Sequence, residues 1–161
     1  MVAQPDAQRR LVLHGAIILL AGLLCGYAAV VEEASRSGRV WTAAHSALLM
    51  LGVWLIASAA VLPLLELPRR EREALLISLT GGAYSFVTAV VIQAATGVRA
   101  ISPDVSGISL VAFAANLLAV LGTFLAASLT AMGAWNALRT SRREAAAEAI
   151  DFGQVDGTAA R

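Results

Sequence analysis

Residues 41–68 read WTAAHSALLMLGVWLIASAAVLPLLELP, and the 23 residues from 43 to 65 include no Asp, Glu, Lys or Arg. At 1.5 Å per residue, a helix of that length crosses a hydrocarbon layer of about 30 Å. The one ionisable side chain is His45, in the first turn. On a helical period Gly52 lies two turns further along the same face, where a flat ligand or a neighbouring backbone could come close. The stretch predicts a transmembrane helix with an imidazole near one end.

The composition of the whole chain agrees with a membrane protein. Of its 161 residues 58% are hydrophobic and 14% charged, with a mean hydropathy of +0.74, which is too apolar for a soluble domain. Further apolar segments occupy residues 11–31, 74–97 and 108–138, separated by polar connections at 32–42, 66–73 and 98–107. We therefore predict an all-α, integral membrane four-helix bundle. Residues 1–10 form its N-terminus, residues 11–138 the four-span domain, and residues 139–161 a tail into which the last helix continues before it frays.

The arginines predict the orientation of the bundle in the membrane. All basic residues of the chain are arginines. Three fall in the connections at 32–42 and 98–107, whereas the opposite side carries Arg9, Arg10, Arg69, Arg70, Arg72, Arg139, Arg142 and Arg143. The positive-inside rule then places both termini and the 66–73 connection in the cytoplasm of a cell inner (plasma) membrane. A net charge of +1 gives no nucleic-acid footprint, so none is expected as a partner.

A few polar side chains lie inside the predicted spans. With this orientation His45 lies about 3 Å below the outer edge, Gln93 about 6 Å, Asn116 about 12 Å and Tyr84 about 20 Å, so that these groups could converge. His14 lies near the opposite edge, so it cannot share one metal ion with His45. A histidine in a span can be an interfacial residue, a bridge between helices, a proton relay or an axial ligand of a porphyrin iron. The two amides can equally join helices, and the tyrosine can simply be packed.

Small residues predict close helix contacts. Gly22 and Gly26 are one turn apart in a small-xxx-small pattern, and Gly81 and Gly82 are adjacent in the third span. We expect these surfaces to serve helix packing and a homo-oligomer. The single Cys25 excludes an internal disulfide, and its position within a span favours a buried hydrophobe. No soluble-enzyme motif is present.

Several motifs resemble the styrene-oxide isomerase family of small four-span membrane proteins. They are LHGAIILLAGLLCG at residues 13–26, WTAAHS at 41–46 with a glycine seven residues after its histidine, RAISP at 99–103 and AMGAWNALR at 131–139. The third span, where Tyr84 follows a glycine-rich turn, is more similar to the hydroxylaminobenzene mutases, which share the histidine motif. The resemblance covers residues 11–140.

The resemblance implies a cofactor and a reaction. In styrene-oxide isomerase a ferric haem b lies between protomers of a trimer, and the histidine that opens the second span binds its iron. The matching residue is His45, with Gly52 as a further cofactor contact. The iron there acts as a Lewis acid on the oxygen of a small apolar aromatic epoxide. The C–O bond opens to a benzylic cation, and a hydride shift gives the aldehyde.

The sequence also departs from these families. Both carry asparagine where this chain has Leu51, the mutases suggest another where it has Phe86, and a tyrosine beside the haem falls at Val90 or Val91. The polar groups that could replace this substrate clamp, and that we predict to be catalytic, are Tyr84, Gln93 and Asn116. The alternatives are rearrangement of an aryl hydroxylamine to an aminophenol, and a non-catalytic haem-binding or structural membrane protein.

Overall fold

The computed structural model describes residues 4–32, 36–98, 101 and 107–158, with side chains for 6–32, 38–98, 101 and 107–147. Its elements are helices α1 (Gln4–Val31), α2 (Arg36–Val61), α3 (Arg69–Thr96) and α4 (Gly107–Thr158), with a short 3₁₀ turn at Leu62–Leu64. Each of the four helices is long and apolar enough to cross a membrane. Within the described ranges there is no strand. The predicted all-α, four-span architecture is confirmed.

The helices extend further than the apolar segments that mark the predicted spans. α2 begins at Arg36, inside the predicted connection 32–42, and α3 begins at Arg69, inside the predicted connection 66–73. α4 continues without interruption to Thr158. Hydropathy detects only the part of a helix that is apolar, whereas arginine, glutamate and alanine favour helix and prolong it beyond the hydrocarbon. Most of the predicted connection 98–107 lies outside the described residues.

Helices α1 and α2 pack backbone to backbone along glycines. A Cβ atom placed on Gly15 would lie 2.9 Å from the Gly52 carbonyl oxygen, and one on Gly52 would lie 2.8 Å from that of Gly15. A Cβ on Gly22 would lie 3.2 Å from the Leu49 backbone nitrogen. The packing role predicted for Gly22 and Gly26 is therefore confirmed, but it is fulfilled within one chain, so these glycines do not argue for an oligomer.

Helices α3 and α4 also meet through small residues. A Cβ on Gly122 would lie 3.0 Å from the Gly82 Cα and 3.1 Å from the Ser78 carbonyl oxygen. Further along the same helix pair, the buried cluster consists of Ala89, Ala112 and Ala115. Gly82 is thus also used within the chain, whereas a Cβ on Gly81 would meet nothing within 4 Å in the described part.

At the arginine-rich end of the bundle, polar contacts join α1 to α2 and the α2–α3 connection to α4. The Gln8 side-chain amide donates to the Ala59 carbonyl oxygen at 3.0 Å. In the connection between α2 and α3, the Glu66 backbone N–H donates to the Gly133 carbonyl oxygen at 3.2 Å, and the Asn136 side chain donates to the Glu66 carbonyl oxygen at 3.2 Å. These bonds hold the α2–α3 connection against α4.

Most of the apolar surface of the helices faces outward. At most about a third of the most apolar stretch of each helix is buried within the chain. The large exposed apolar side chains include Leu20, Leu24, Met50, Ile77 and Phe124. Such a surface is stable in contact with lipid tails, so the protein is a multi-pass membrane protein.

Candidate functional site at His45

The His45 side chain has a defined hydrogen-bond partner on α1. Its Nδ1 atom lies 2.8 Å from the carbonyl oxygen of Gly22. A carbonyl oxygen can only accept a hydrogen bond, so Nδ1 donates here, and the tautomer of the neutral ring that fits this bond is the one with its hydrogen on Nδ1. The other ring nitrogen, Nε2, is then left with its lone pair. Metal-binding histidines use this arrangement, in which a backbone carbonyl holds one nitrogen and the second is available as a ligand.

The His45 ring lies directly over Gly26. A Cβ atom on Gly26 would lie 2.6 Å from Nδ1 and 2.9 Å from Cε1 of the imidazole, closer than non-bonded atoms approach. Gly26 therefore leaves the space that the ring fills, while Gly22 supplies its hydrogen-bond acceptor. Together these residues form a shelf on α1 that fixes the orientation of the half-buried ring.

In the described part of the chain, His45 is not grouped with other side chains that commonly bind metal ions. Among the described residues, no three or more His, Cys, Asp and Glu side chains are grouped so that they could hold a metal ion. A haem carries four in-plane nitrogen ligands and requires only one axial ligand from the protein. A single histidine of fixed orientation, as His45 is, is compatible with that requirement.

Gly52 has a structural explanation. It is buried, and besides the Gly15 carbonyl oxygen its missing Cβ would meet the Leu19 side chain at 2.6 Å. Of the two uses that the sequence allowed for this glycine, close approach of a backbone is the one observed. The predicted cofactor contact at Gly52 has no free space beside it.

Tyr84 lies with the other histidine. Its hydroxyl is 2.9 Å from Nδ1 of His14, and the two rings meet edge to face with centroids 5.5 Å apart. Along α1, His14 and Gly26 are twelve residues apart, or about 18 Å. Within one chain, Tyr84 therefore does not converge with His45, contrary to the expectation from depth alone. Its predicted catalytic role stays a prediction, without a contact to the His45 shelf.

Along the axis of the bundle, the helix register places Gln93 nearer to the level of His45 than Asn116. The His14–Tyr84 contact sets an offset of seventy residues between α1 and α3, which puts Gln93 level with Leu23, between the two shelf glycines. The Gly82–Gly122 contact puts Asn116 level with Thr88 on α3, about 7.5 Å from the level of Gln93. Neither amide side chain hydrogen-bonds to another residue in the described part of the chain.

The apolar replacements of the expected asparagines lie in apolar surroundings. Leu51 and Phe86 are partly buried and pack against the main hydrophobic core, as does Val90. An asparagine side chain there would need hydrogen-bond partners that this core does not offer. The loss of the polar clamp at these positions is therefore consistent with the packing around them.

A family model described as Styrene oxide isomerase matches residues 7–135, which is 129 of the 161 residues. The chain belongs to the styrene oxide isomerase family. The comparisons with curated proteins and with solved structures find no match. Membership of the family supports an isomerase-type function in general, and the matched region contains His45 and both shelf glycines.

The sequence alone did not show how His45 and the glycines of α1 are arranged in space. Gly22 and Gly26 were recognised as packing residues, but their relation to His45 was not. One signal lies in the sequence: antiparallel packing of the glycine-rich faces of α1 and α2, with Gly15 against Ile56, brings Gly22 opposite Leu49 and Gly26 opposite His45. The pairing of His14 with Tyr84 had no such signal, because it depends on how the two helix pairs come together.

Proposed function

We propose that this protein is a haem-dependent isomerase that rearranges an aryl epoxide to an aldehyde, with His45 as the axial haem ligand. The observation that carries the proposal is the bond from His45 Nδ1 to the Gly22 carbonyl oxygen at 2.8 Å, which leaves Nε2 as the ligand atom. The family assignment supports the reaction class, and the motif around His45 supports the cofactor.

The chain supplies orientation and a dry environment for this chemistry. When bound, a ferric haem b would supply a Lewis acid able to polarise the oxygen of an epoxide. The isomerisation opens one C–O bond and moves a hydride to the neighbouring carbon, so it requires no oxidant or reductant. The Gly22–Gly26 shelf holds the His45 ring, and the apolar spans exclude the water that would otherwise trap a carbocation. Gln93, near the same level, is the first choice for a polar contact with the substrate.

The cofactor is tested by the absorption spectrum of protein expressed with ample haem. We expect a Soret band in the wild type, its loss or shift in His45→Ala, and an almost unchanged spectrum in the control His14→Ala. Each substitution removes one histidine side chain, and the two histidines lie at opposite ends of the α1–α2 pair. A general effect of losing a histidine on folding would therefore appear in both variants. A colourless wild type, or a His45→Ala variant with an unaltered spectrum, would contradict the proposal.

The reaction is tested with two substrates. We expect styrene oxide to give phenylacetaldehyde in the wild type and a large loss of that activity in His45→Ala. Phenylhydroxylamine provides the second arm, because its conversion to an aminophenol, without epoxide turnover, would assign the mutase reaction instead. A protein that binds haem but converts neither compound would be a haem-binding protein without this catalysis.

Two further expectations concern the oligomeric state of the protein and its orientation in the membrane. His45 is only half-buried within its own chain, so a planar ligand on Nε2 would be enclosed more fully by a second copy. We expect a trimer, as the family resemblance implies. A native mass spectrum in mild detergent tests this, and a monomer alone would be the contrary result.

The arginine-rich end should face the cytoplasm. Reporter fusions at the C-terminus test that orientation.

A further inference from the structure

The arginine-rich end of the bundle contains a cleft that is distant from His45. It has a volume of about 700 Å³ and lies between the α2–α3 connection and α4. Its apolar side includes Pro63 and Leu67, and its charged groups are Arg72, Arg139, Arg143 and Glu66. Three arginines and one glutamate give the lining an excess of positive charge.

The Glu66 carboxylate is held by α4. Its Oε2 atom accepts a hydrogen bond of 2.6 Å from the Thr140 hydroxyl, and its backbone is tied to Gly133 and Asn136. No ion pair joins this carboxylate to an arginine among the described residues, where the ion pairs are Arg9–Asp6 and Arg69–Glu73. Among the described residues, the arginines that line the cleft are therefore not in ion pairs with a carboxylate.

Arg72 supplies an unsatisfied donor in this lining. Its Nε atom is buried and has no hydrogen-bond partner in the part of the chain that the structure describes. A buried donor on a charged group is costly when it is left unpaired. Nε itself is closed to solvent, but Arg72 lines the cleft, and the fork of a guanidinium matches the oxygens of a phosphate.

The residues beside the cleft are of the kind found at the level of lipid headgroups. Trp135 is 55% exposed on α4, and the Arg139 guanidinium lies 5.3 Å from the centroid of its ring. Tryptophans of membrane proteins concentrate at the level where the hydrocarbon meets the headgroups. The arginines that line the cleft, one of them stacked on this ring, are thus positioned where phosphates of the bilayer are abundant.

We propose that this cleft binds the phosphate of an anionic phospholipid headgroup, with Arg72, Arg139 and Arg143 as its ligands. Basic pockets between transmembrane helices bind such headgroups in other membrane proteins. The bound lipid would join the α2–α3 connection to α4 and so stabilise the contact between the two helix pairs. The site is independent of haem and of the reaction proposed above.

The test measures the thermal stability and native mass spectrum of the detergent-solubilised full chain, with phosphatidylglycerol, phosphatidylcholine or inorganic phosphate added separately. We expect phosphatidylglycerol to bind and to raise the Tm, and the other two additives to have much weaker effects. Arg72→Gln should weaken phosphatidylglycerol binding about tenfold or more, the loss expected for a charge-assisted hydrogen bond. Without lipid its Tm should stay close to that of the wild type, because glutamine keeps an N–H donor at the position of the Arg72 Nε and removes only the charged end of the side chain.

The matched control is Arg142→Gln, which removes the same charge from an exposed position of α4 outside the cleft lining. We expect this variant to bind phosphatidylglycerol like the wild type, and Arg139→Gln with Arg143→Gln to lose the binding. Equal losses in Arg142→Gln and Arg72→Gln would show diffuse surface attraction and overturn the site. Equal binding of both phospholipids, or binding of inorganic phosphate alone, would overturn the assignment to an anionic headgroup.

Discussion

The imidazole ring of His45 packs so closely against the backbone of Gly26 that a methyl group on Gly26 would collide with it. The ring is fixed on one side by its hydrogen bond to Gly22, and it lies flush against α1 because Gly26 has no side chain. The orientation of the ligand nitrogen is therefore determined by the neighbouring helix as well as by α2. This relationship makes the His45 shelf open to mutational test.

Gly26→Ala should displace the His45 ring, because the new methyl group would lie 2.6 Å from Nδ1. We expect a weakened bond to Gly22, a shifted or reduced Soret band, and a loss of about 1–3 kcal/mol in stability, typical of overpacking. Absorption spectra and thermal unfolding measure the two effects. The control is Gly81→Ala, where the added methyl meets nothing within 4 Å in the described structure. Equal spectra of Gly26→Ala and wild type would show that the shelf does not orient the ligand.

The glycines of the α3–α4 contact should respond unequally to the same substitution. A Cβ on Gly122 would lie 3.0 Å from the Gly82 Cα, whereas one on Gly82 would lie 3.4 Å from the Gly122 Cα, an ordinary contact. We expect Gly122→Ala to destabilise the protein by about 1–3 kcal/mol and Gly82→Ala by less than about 1 kcal/mol. Unfolding in detergent with a chemical denaturant provides the comparison. The reverse order would contradict the described helix contact.

The His14–Tyr84 pair should be energetically coupled. Tyr84→Phe removes the hydroxyl that lies 2.9 Å from His14, and His14→Ala removes its partner. A double-mutant cycle on stability should give a coupling of about 0.6 kcal/mol, the average for hydrogen bonds between membrane helices. The Soret band of Tyr84→Phe should match that of the wild type, because the pair lies about 18 Å along α1 from the His45 shelf. Additive effects on stability would remove the pair as a link between α1 and α3.

Imidazole should restore the cofactor in a truncated variant. His45→Ala leaves a space beside Gly22 and Gly26 that matches the lost ring, with the Gly22 carbonyl oxygen available as an acceptor. We expect added imidazole to return part of the Soret band and of any epoxide-isomerising activity. The control is 1-methylimidazole, which has no N–H to donate to Gly22 and should be less effective. If neither compound has an effect, His45 is not replaceable as a simple axial ligand.

The sequence by itself determined the class of the protein and the location of its helices. The 23 uncharged residues around His45 and three similar segments require helices in a membrane, because a spanning backbone must satisfy its own hydrogen bonds. The motif WTAAHS singled out His45, and together with LHGAIILLAGLLCG, RAISP and AMGAWNALR it indicated the family. The helices extend beyond the apolar spans, because hydropathy reports the solvent around a segment, whereas the helix continues as long as its backbone bonds and residue propensities allow.

Only the tertiary structure decided which side chains meet. The depth of a residue follows from its position in a span, but its direction depends on rotation of the helix about its axis, and four helices can be rotated in many ways at similar apolar burial. Close contacts at Gly15, Gly52, Gly82 and Gly122 favour one arrangement, because glycine lets the backbones approach there. In that arrangement Tyr84 contacts His14, and Gly22 and Gly26 lie beneath His45. The same arrangement brings Arg72 near arginines about seventy residues away in the chain.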